Sequence, residues 1–586
     1  MSPSARLRRH QTHARRGQPT RHASQPSLDR WLFAVASLVA ISFLAWSRYA
    51  IRPDGELAWA PQLFALFVVI IAAVGRTLLG HEPQEDGRAA NSSRMWVVVP
   101  LLLVASVAPF AGGIWLGFLS DDFNLLATAK GSRTAIEAVT SVPWVIFFRP
   151  VSMFFWWLGV LLWDGEAVGY HLLSMVLHAA NVCLVYTLGR RLTGSLKAAL
   201  FGSLLFAVHP LRVEPVVWIA ARPDLLCAMF CLLSLLLLDV YARHDRLPVV
   251  AIAASGSVIS FALALLSKEA ALALPGVAAL LLGLFPGRRA RVHSVAVVAS
   301  YGIALGAYLL LRIRVFGSMA GYDPGMNLWN TWFPSALLRQ LSDFLFPVHR
   351  ELVGSTLGPV GGAALTGVMA LAALWWIQGL VRIPSQRLLF WCGYLAIIAI
   401  PTWTIYVVHT GNLDNSRLTY LPSIGLAWLF GDLCRGAGGS RGARAAIPAL
   451  MVLFAAALSV WYVMPWRQAA GLRDATIQAG TEMWAQLPPS PPPRTVFVEG
   501  IPETLLGAKV WENCYQQELS HRSRGRVMVV SVSEREGTRM ISPELLAAST
   551  LFAGEYVVAW KAESKSMDVV RVGAVDATQW NEVTER

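Results

Sequence analysis

The residues of this 586-residue chain that could do chemistry stand at the edges of long apolar runs. They fall in four short charged stretches: Ser120-Asp121-Asp122-Phe123, residues 209–214 (HPLRVE), Ser267-Lys268-Glu269 and residues 415–420 (NSRLTY). An ionisable side chain at the edge of a hydrophobic span costs free energy, so each stretch is a functional-site candidate. Adjacent carboxylates such as Asp121 and Asp122 can divide labour, one deprotonating an acceptor hydroxyl while the other orients it or binds a cation. The plain alternative is an acidic pair that ends a helix at water. Arg149 precedes Pro150 after an apolar, aromatic run, and its planar guanidinium suits phosphate or carboxylate; an arginine snorkelling to the interface would look the same. His171 and His178 share one helical face, and each is as ordinary in a core as in a site.

Residues 209–224 (HPLRVEPVVWIAARPD) hold one His, two Arg, one Glu, one Asp and three Pro, which is dense for a connection between spans. Irregular polar backbone at membrane depth is tolerated where it lines a cavity. Lys268 and Glu269 follow directly on an apolar span, and Arg417 and Tyr420 open another. If all of these open onto one side of a membrane, they offer a carboxylate pair and four cations: Arg149, Arg222, Lys268 and Arg417. Such a set suits an anionic ligand whose leaving group needs electrostatic stabilisation. A lipid-linked phosphate is the natural candidate, because its tail can occupy a groove in the bilayer. Topology decides whether there is a site at all.

The composition defines the elements that must position these groups. The chain is 55% apolar and 15% charged, against about 25% charged in a soluble domain, and its mean hydropathy is +0.50. Nearly uncharged windows of the length that crosses a bilayer as a helix, roughly 20 residues, recur through the first 465 positions. The expected fold class is an α-helical polytopic membrane protein. Candidate spans lie near 31–48, 62–79, 95–117, 169–188, 196–209, 224–242, 248–266, 270–286, 293–312, 358–380, 388–408, 417–432 and 446–465. The formal charge of +13 sits in the first 30 residues and in short loops, which points to topology control, with contact to membrane lipids and no nucleic-acid partner. The six cysteines show no zinc-ligand spacing and read as packing residues.

With the basic tail inside and each span crossing once, the clusters Arg190/Arg191/Lys197, Arg243/Arg246, Arg288/Arg289/Arg291, Arg382/Arg387 and Arg435/Arg441/Arg444 all fall in the cytoplasm. The loop 118–150, the turn 209–223, Ser267–Glu269, the segment 313–357 and the loop 409–416 then fall outside. A further crossing at 151–163 (VSMFFWWLGVLLW) would invert every later cluster, so that stretch is expected to be re-entrant or interfacial, with its Trp residues in the interface. Thirteen spans result, with the N-terminus in and the C-terminus out. The expected organisation is a disordered basic tail (1–30), two additional spans (31–94), the catalytic membrane core (95–465), a helix and Pro-rich linker (466–493), and a small extracytoplasmic α+β domain (494–586). Runs at 494–498, 527–532, 556–560 and 569–572 are strand-like.

The order of SDD, FRPVSMFFWWLGVLLW, GYHLLSMVLHAANV, HPLRVEPVVWIAARPDLL, LLSKEAALALPGVAAL, LSDFLFPVHREL and SRLTYLPSIG resembles the membrane half of the tetratricopeptide-repeat O-mannosyltransferases, within the GT-C class of polyprenyl-phosphate-sugar glycosyltransferases. The likeness covers roughly residues 118–432. It implies a GT-C-like fold, with Asp121 or Asp122 as base toward the acceptor and Asp121 favoured. It also implies that Arg222, Lys268 and Arg417, with Arg149, grip the donor phosphate, and that His171, His209, Glu214, Glu269 and Tyr420 shape the donor and acceptor pocket. Ala221 and Pro223 depart from the family's pattern around Arg222. Residues 466–586 show no period near 34, the repeat length of that family, so its protein-acceptor specificity does not carry over.

The expected function is inverting transfer of a sugar, with mannose a candidate, from a polyprenyl-phosphate donor to a hydroxyl of a glycan, lipid or protein outside a bacterial cell membrane. No cofactor is required by this chemistry, and a divalent cation at Asp121/Asp122 stays open. The rival is a transporter or lipid-linked glycan flippase, which predicts broken helices in two corresponding halves; the chain has no such internal repeat.

Overall fold

The computed structural model describes residues 88–143, 147–285, 291–317, 333–402, 413, 415–436, 443–486, 494–499, 501–506, 508–511, 515, 527–535, 538–541, 556–561, 564–572 and 581–582. The expected basic tail, the two spans before residue 88, the 409–412 part of the outer loop and the Pro-rich linker lie outside the described residues. The helices, in chain order, are α1 (Arg88–Val107), α2 (Asp122–Gly131), α3 (Ala135–Thr140), α4 (Pro150–Trp163), α5 (Ala167–Thr193), α6 (Leu196–Val208), α7 (Val213–Val217), α8 (Arg222–Arg243) and α9 (Leu247–Leu265). There follow α10 (Leu274–Leu284), α11 (Arg291–Phe316), α12 (Phe333–Leu345), α13 (Arg350–Leu380), α14 (Ser385–Ala399), α15 (Ser423–Gly436), α16 (Ala443–Tyr462) and α17 (Met464–Gln486).

Among the described residues, six helices are long and apolar enough to cross a membrane, or seven if α6 and the bent piece after it form one span. The expected thirteen are not confirmed among the described residues, and two of those spans lie outside them. Several apolar runs fold as shorter helices, among them 98–113, 150–163 and 269–284, and Pro109 and Gly113 lie in the 3-10 turn that closes the first. α4 is 14 residues, about 21 Å at 1.5 Å per residue, too short to span, as the arginine pattern requires. Its Trp residues are not interfacial, however: Trp156, Trp157 and Trp163 are buried in protein, Trp156 and Trp163 packed on Tyr170 of α5. α6 ends at His209-Pro210, where the chain bends by 59° into α7.

The helices are oriented by their ends. In α8, Pro223 and Asp224 occupy the first turn and Arg243 the last, the arrangement that suits both proline's missing N–H and the helix dipole. α8 has 22 residues, so its ends lie about 33 Å apart. At the Arg243 end, Asp239 pairs with Arg191 (2.5 Å) and Arg243 (2.7 Å), while Arg435 donates to Thr193 O at 2.6 Å. Arg222, Asp224 and their partners gather at the other end. α6 and α15 approach backbone to backbone through Gly202 and Gly431: a Cβ on Gly431 would lie 2.1 Å from Ala198 O. Small residues at a helix crossing are how membrane helices gain close packing.

The C-terminal part forms a mixed six-stranded sheet in the order β7-β6-β1-β4-β5-β8 and a two-stranded hairpin, β2 with β3. The strands are β1 (Arg494–Glu499), β2 (Thr504–Leu505), β3 (Ala508–Lys509), β4 (Val527–Arg535), β5 (Thr538–Ile541), β6 (Tyr556–Lys561), β7 (Ser566–Val572) and β8 (Asn581–Glu582). β1 runs parallel to both β4 and β6. The four strand-like runs read from the sequence are β1, β4, β6 and β7.

Candidate active site

The acidic loop lies between the end of the first helical unit and α2. Gly117 has a φ of 71°, a left-handed conformation, and Ser120 shares that region at 48°. The turn aims the two carboxylates differently. Asp122 is buried (1% exposed); its Oδ2 accepts the Leu119 N–H at 2.8 Å and its Oδ1 the Ala220 N–H at 2.7 Å. Burial pushes its carboxyl up to about 8 against the pull of those two donors. Asp122 therefore stitches the loop to the segment entering α8. Asp121, one residue earlier, is half-buried and lines a cavity of about 70 Å³ together with Arg149, Trp218, Lys268 and Arg417.

Each cation of that cavity is held by a carboxylate from another element. Lys268 Nζ reaches both oxygens of Asp224, at 2.6 and 2.7 Å. Arg149 Nη2 meets Glu269 Oε2 at 2.9 Å. Arg417 pairs with Glu214, whose other oxygen accepts from Ser416 Oγ and the Arg417 N–H, both at 3.1 Å. Trp218 lies beneath the Arg417 guanidinium at 4.9 Å, a cation–π contact. An ammonium has three N–H groups and a guanidinium five, so one carboxylate partner does not use up the donor capacity of either group. The arrangement can bind a phosphate oxygen cluster through its cations and offer the Asp121 carboxylate to a hydroxyl.

Of the residues expected at the site, Asp121, Arg149, Lys268 and Arg417 meet in this cavity. Arg222 does not. It is fully buried, donates to Tyr170 O at 3.2 Å and sits over the Trp156 ring at 5.1 Å. His171 is buried in α5 with Nε2 3.1 Å from Gly117 O, so it holds the loop. Glu214 and Glu269 are paired with Arg417 and Arg149, which line the cavity. His209 stacks on Phe344 at 4.3 Å and faces a separate, apolar cavity of about 340 Å³. Tyr420 is buried in the core, its hydroxyl 2.7 Å from His178 Nδ1 and 3.2 Å from Asn181 Nδ2. Neither His209 nor Tyr420 lines the cavity that holds Asp121.

The surroundings of Asp121 and Asp122 bear on the divalent cation left open there. Both Asp122 oxygens are engaged by backbone N–H groups, the neighbouring cavity charges are cations, and among the described residues no three His, Cys, Asp or Glu side chains gather where a metal could sit. The residues that the motifs did not place at the site are Asp224 as the Lys268 partner, Arg312, Trp218, Arg473 and Trp511. Arg312 donates to Glu269 Oε1 at 3.3 Å and stands at the end of α11, where its position reads as an ordinary terminal arginine. Arg473 and Trp511 follow the membrane core, and no local pattern ties them to the acidic loop.

The class defined by helices and site is thus a multi-span membrane protein with a charged cavity at one end of its helices. Residues 143–311 match the family model for dolichyl-phosphate-mannose-protein mannosyltransferase, a stretch that includes Arg149, Glu214, Asp224, Lys268 and Glu269. A protein O-mannosyl-transferase of Caenorhabditis elegans is 28% identical over 172 residues, covering 27% of this chain and 24% of that protein. The human protein O-mannosyl-transferase TMTC4 is 38% identical over 103 residues, 15% of this chain and 14% of that protein. The matched chain spans a quarter or less of the length of these relatives. Over that stretch the resemblance drawn from the motifs is borne out. Among solved structures, ArnT from Cupriavidus metallidurans is similar at 14% identity and a TM-score of 0.45, covering 84% of this chain and 100% of that one. The Archaeoglobus fulgidus oligosaccharyltransferase is similar at 12% identity and a TM-score of 0.42, covering 81% of this chain and 72% of that one.

Proposed function

We propose that the protein is a glycosyltransferase that moves one sugar from a polyprenyl-phosphate donor to a hydroxyl acceptor, with inversion. Asp121 takes the proton of the acceptor hydroxyl, whose oxygen attacks the anomeric carbon. The bond from that carbon to the phosphate oxygen breaks, and its electron pair leaves with the lipid phosphate. Lys268, Arg149 and Arg417 stabilise the departing charge, and the proton passes from Asp121 to solvent. The observation that carries this reading is the shared cavity of Asp121 with three carboxylate-held cations. The cavity lies at the helix ends opposite the Arg191–Asp239–Arg243 cluster, which under the positive-inside rule supports an extracytoplasmic cavity. A bacterial cell membrane suits the composition, and mannose is the first sugar to test because the matching family and relatives carry it in their names.

The test is purified protein incubated with a panel of polyprenyl-phosphate sugars, with donor cleavage and product both followed. Asp121→Asn should lower turnover by about 10²–10⁴-fold, the usual worth of a general base, with donor binding kept. Full turnover in folded Asp121→Asn would remove the assigned base.

A further inference from the structure

We propose that the C-terminal segment completes the site, with Trp511 as a positioning residue for the loop that carries Asp121. This rests on the transfer reading above. The loop is held from two directions. From the membrane core, the Trp218 indole N–H donates to Leu119 O at 3.2 Å, and Ala220 and His171 make the contacts already described. From the C-terminal side, the Ser120 N–H donates to Val510 O at 3.0 Å, on the residue immediately before Asp121. The Phe123 ring, two residues after Asp121, stacks on Trp511 with centroids 5.1 Å apart and planes 21° apart. Asp121 is bracketed by these two contacts.

Trp511 is itself fixed. It is 3% exposed, its Nε1–H donates to Thr476 Oγ1 at 2.7 Å, and Tyr515 packs edge-on at 5.1 Å. The hairpin before it is tethered by His349, whose Nε2–H donates to Leu506 O at 2.7 Å. The N–H groups of Val510 and Trp511 both donate to Glu503 O. α17 adds a third anchor: Arg473 Nη1 donates to Leu116 O at 2.8 Å and also to Phe118 O, straddling Gly117. None of these C-terminal groups lines the cavity that holds the cations. Their effect on transfer must therefore pass through the placement of Asp121 relative to the acceptor, and donor binding should be spared.

The experiment uses the full chain and the polyprenyl-phosphate sugar that the panel identifies. Trp511→Ala should lower kcat by about 10²-fold, the cost of a small misplacement of a catalytic group, with donor KM within twofold. Trp511→Phe keeps a stacking ring for Phe123 and should regain most of the loss. Turnover of Trp511→Ala within threefold of wild type overturns the proposal. So does a loss carried by donor KM, or equal impairment in Trp511→Phe. A second readout needs no turnover: the thiol introduced by Asp121→Cys, with accessible native cysteines replaced, is titrated with a charged methanethiosulfonate. Adding Trp511→Ala should change its labelling rate at least severalfold; an unchanged rate overturns the positioning claim. A changed rate in a protein whose wild type cleaves no donor supports the positioning and overturns the transfer reading alone.

Discussion

Removing the Lys268 ammonium separates two roles that one residue carries. Its side chain and that of Asp224 are each 8% exposed, and the ammonium contacts both carboxylate oxygens at 2.6 and 2.7 Å. Lys268→Met leaves the Asp224 carboxylate buried without its counter-ion, a change that costs about 3–5 kcal/mol in comparable buried pairs. It also removes a donor to the leaving phosphate, worth about 2.7–4 kcal/mol of transition-state stabilisation, or 10²–10³ in kcat. Adding Asp224→Asn removes the stranded charge. The double variant Lys268→Met/Asp224→Asn should therefore melt closer to wild type in detergent than Lys268→Met alone, while turnover stays down in both. The assay pairs thermal unfolding with single-turnover donor cleavage. Turnover restored with stability in the double variant would show that Lys268 serves the fold only. Equal destabilisation of the single and double variants would refute the reasoning about the stranded carboxylate.

Other consequences follow from the same geometry. Asp122 has a folded-state pKa near 8, raised by burial from 3.8, so the fold favours its neutral form. That contribution is fully present below about pH 4 and declines as pH rises, gone above about 8, at up to about 1.4 kcal/mol per unit. The stability of wild type relative to Asp122→Asn should fall between pH 5 and 8 in detergent melts and level off above; a flat difference contradicts the burial argument. Gly117→Ala meets a φ of 71° and places a Cβ 2.7 Å from Arg473 Nη1. The left-handed backbone alone costs roughly 1–2 kcal/mol, and turnover should fall with stability, whereas a silent variant would show the loop is not fixed there. Gly431→Ala drives a Cβ to 2.1 Å from Ala198 O, while Gly471→Ala meets nothing within 4 Å. The first should destabilise by about 1–3 kcal/mol as overpacking does, the second should be neutral or stabilising, and reversed melting shifts would discount the close α6–α15 approach.

The membrane class, the non-spanning character of residues 151–163 and four of the strands of the C-terminal part (β1, β4, β6 and β7) were legible in the sequence. Each follows from a local quantity: apolar length, the placement of arginines between spans, or alternation of valines and aromatics. The four charged stretches were legible too, because an ionisable group beside an apolar run stands out wherever it occurs. Their use was not. Arg149 and Glu269 are 120 residues apart, Arg417 and Glu214 are 203 apart, and Lys268 finds Asp224 across 44.

Which of two adjacent aspartates faces the cavity depended on a turn at Gly117 and Ser120 and on two N–H donors, one of them on Ala220, 98 residues away. Arg222, His209 and Tyr420 carry the right chemistry in the right motifs, yet packing buries them away from the cavity. The tail's hold on the acidic loop has no local signature at all. Burial and partner choice are set by contacts between segments remote in the chain. Periodicity reports only which face of its own helix a residue occupies.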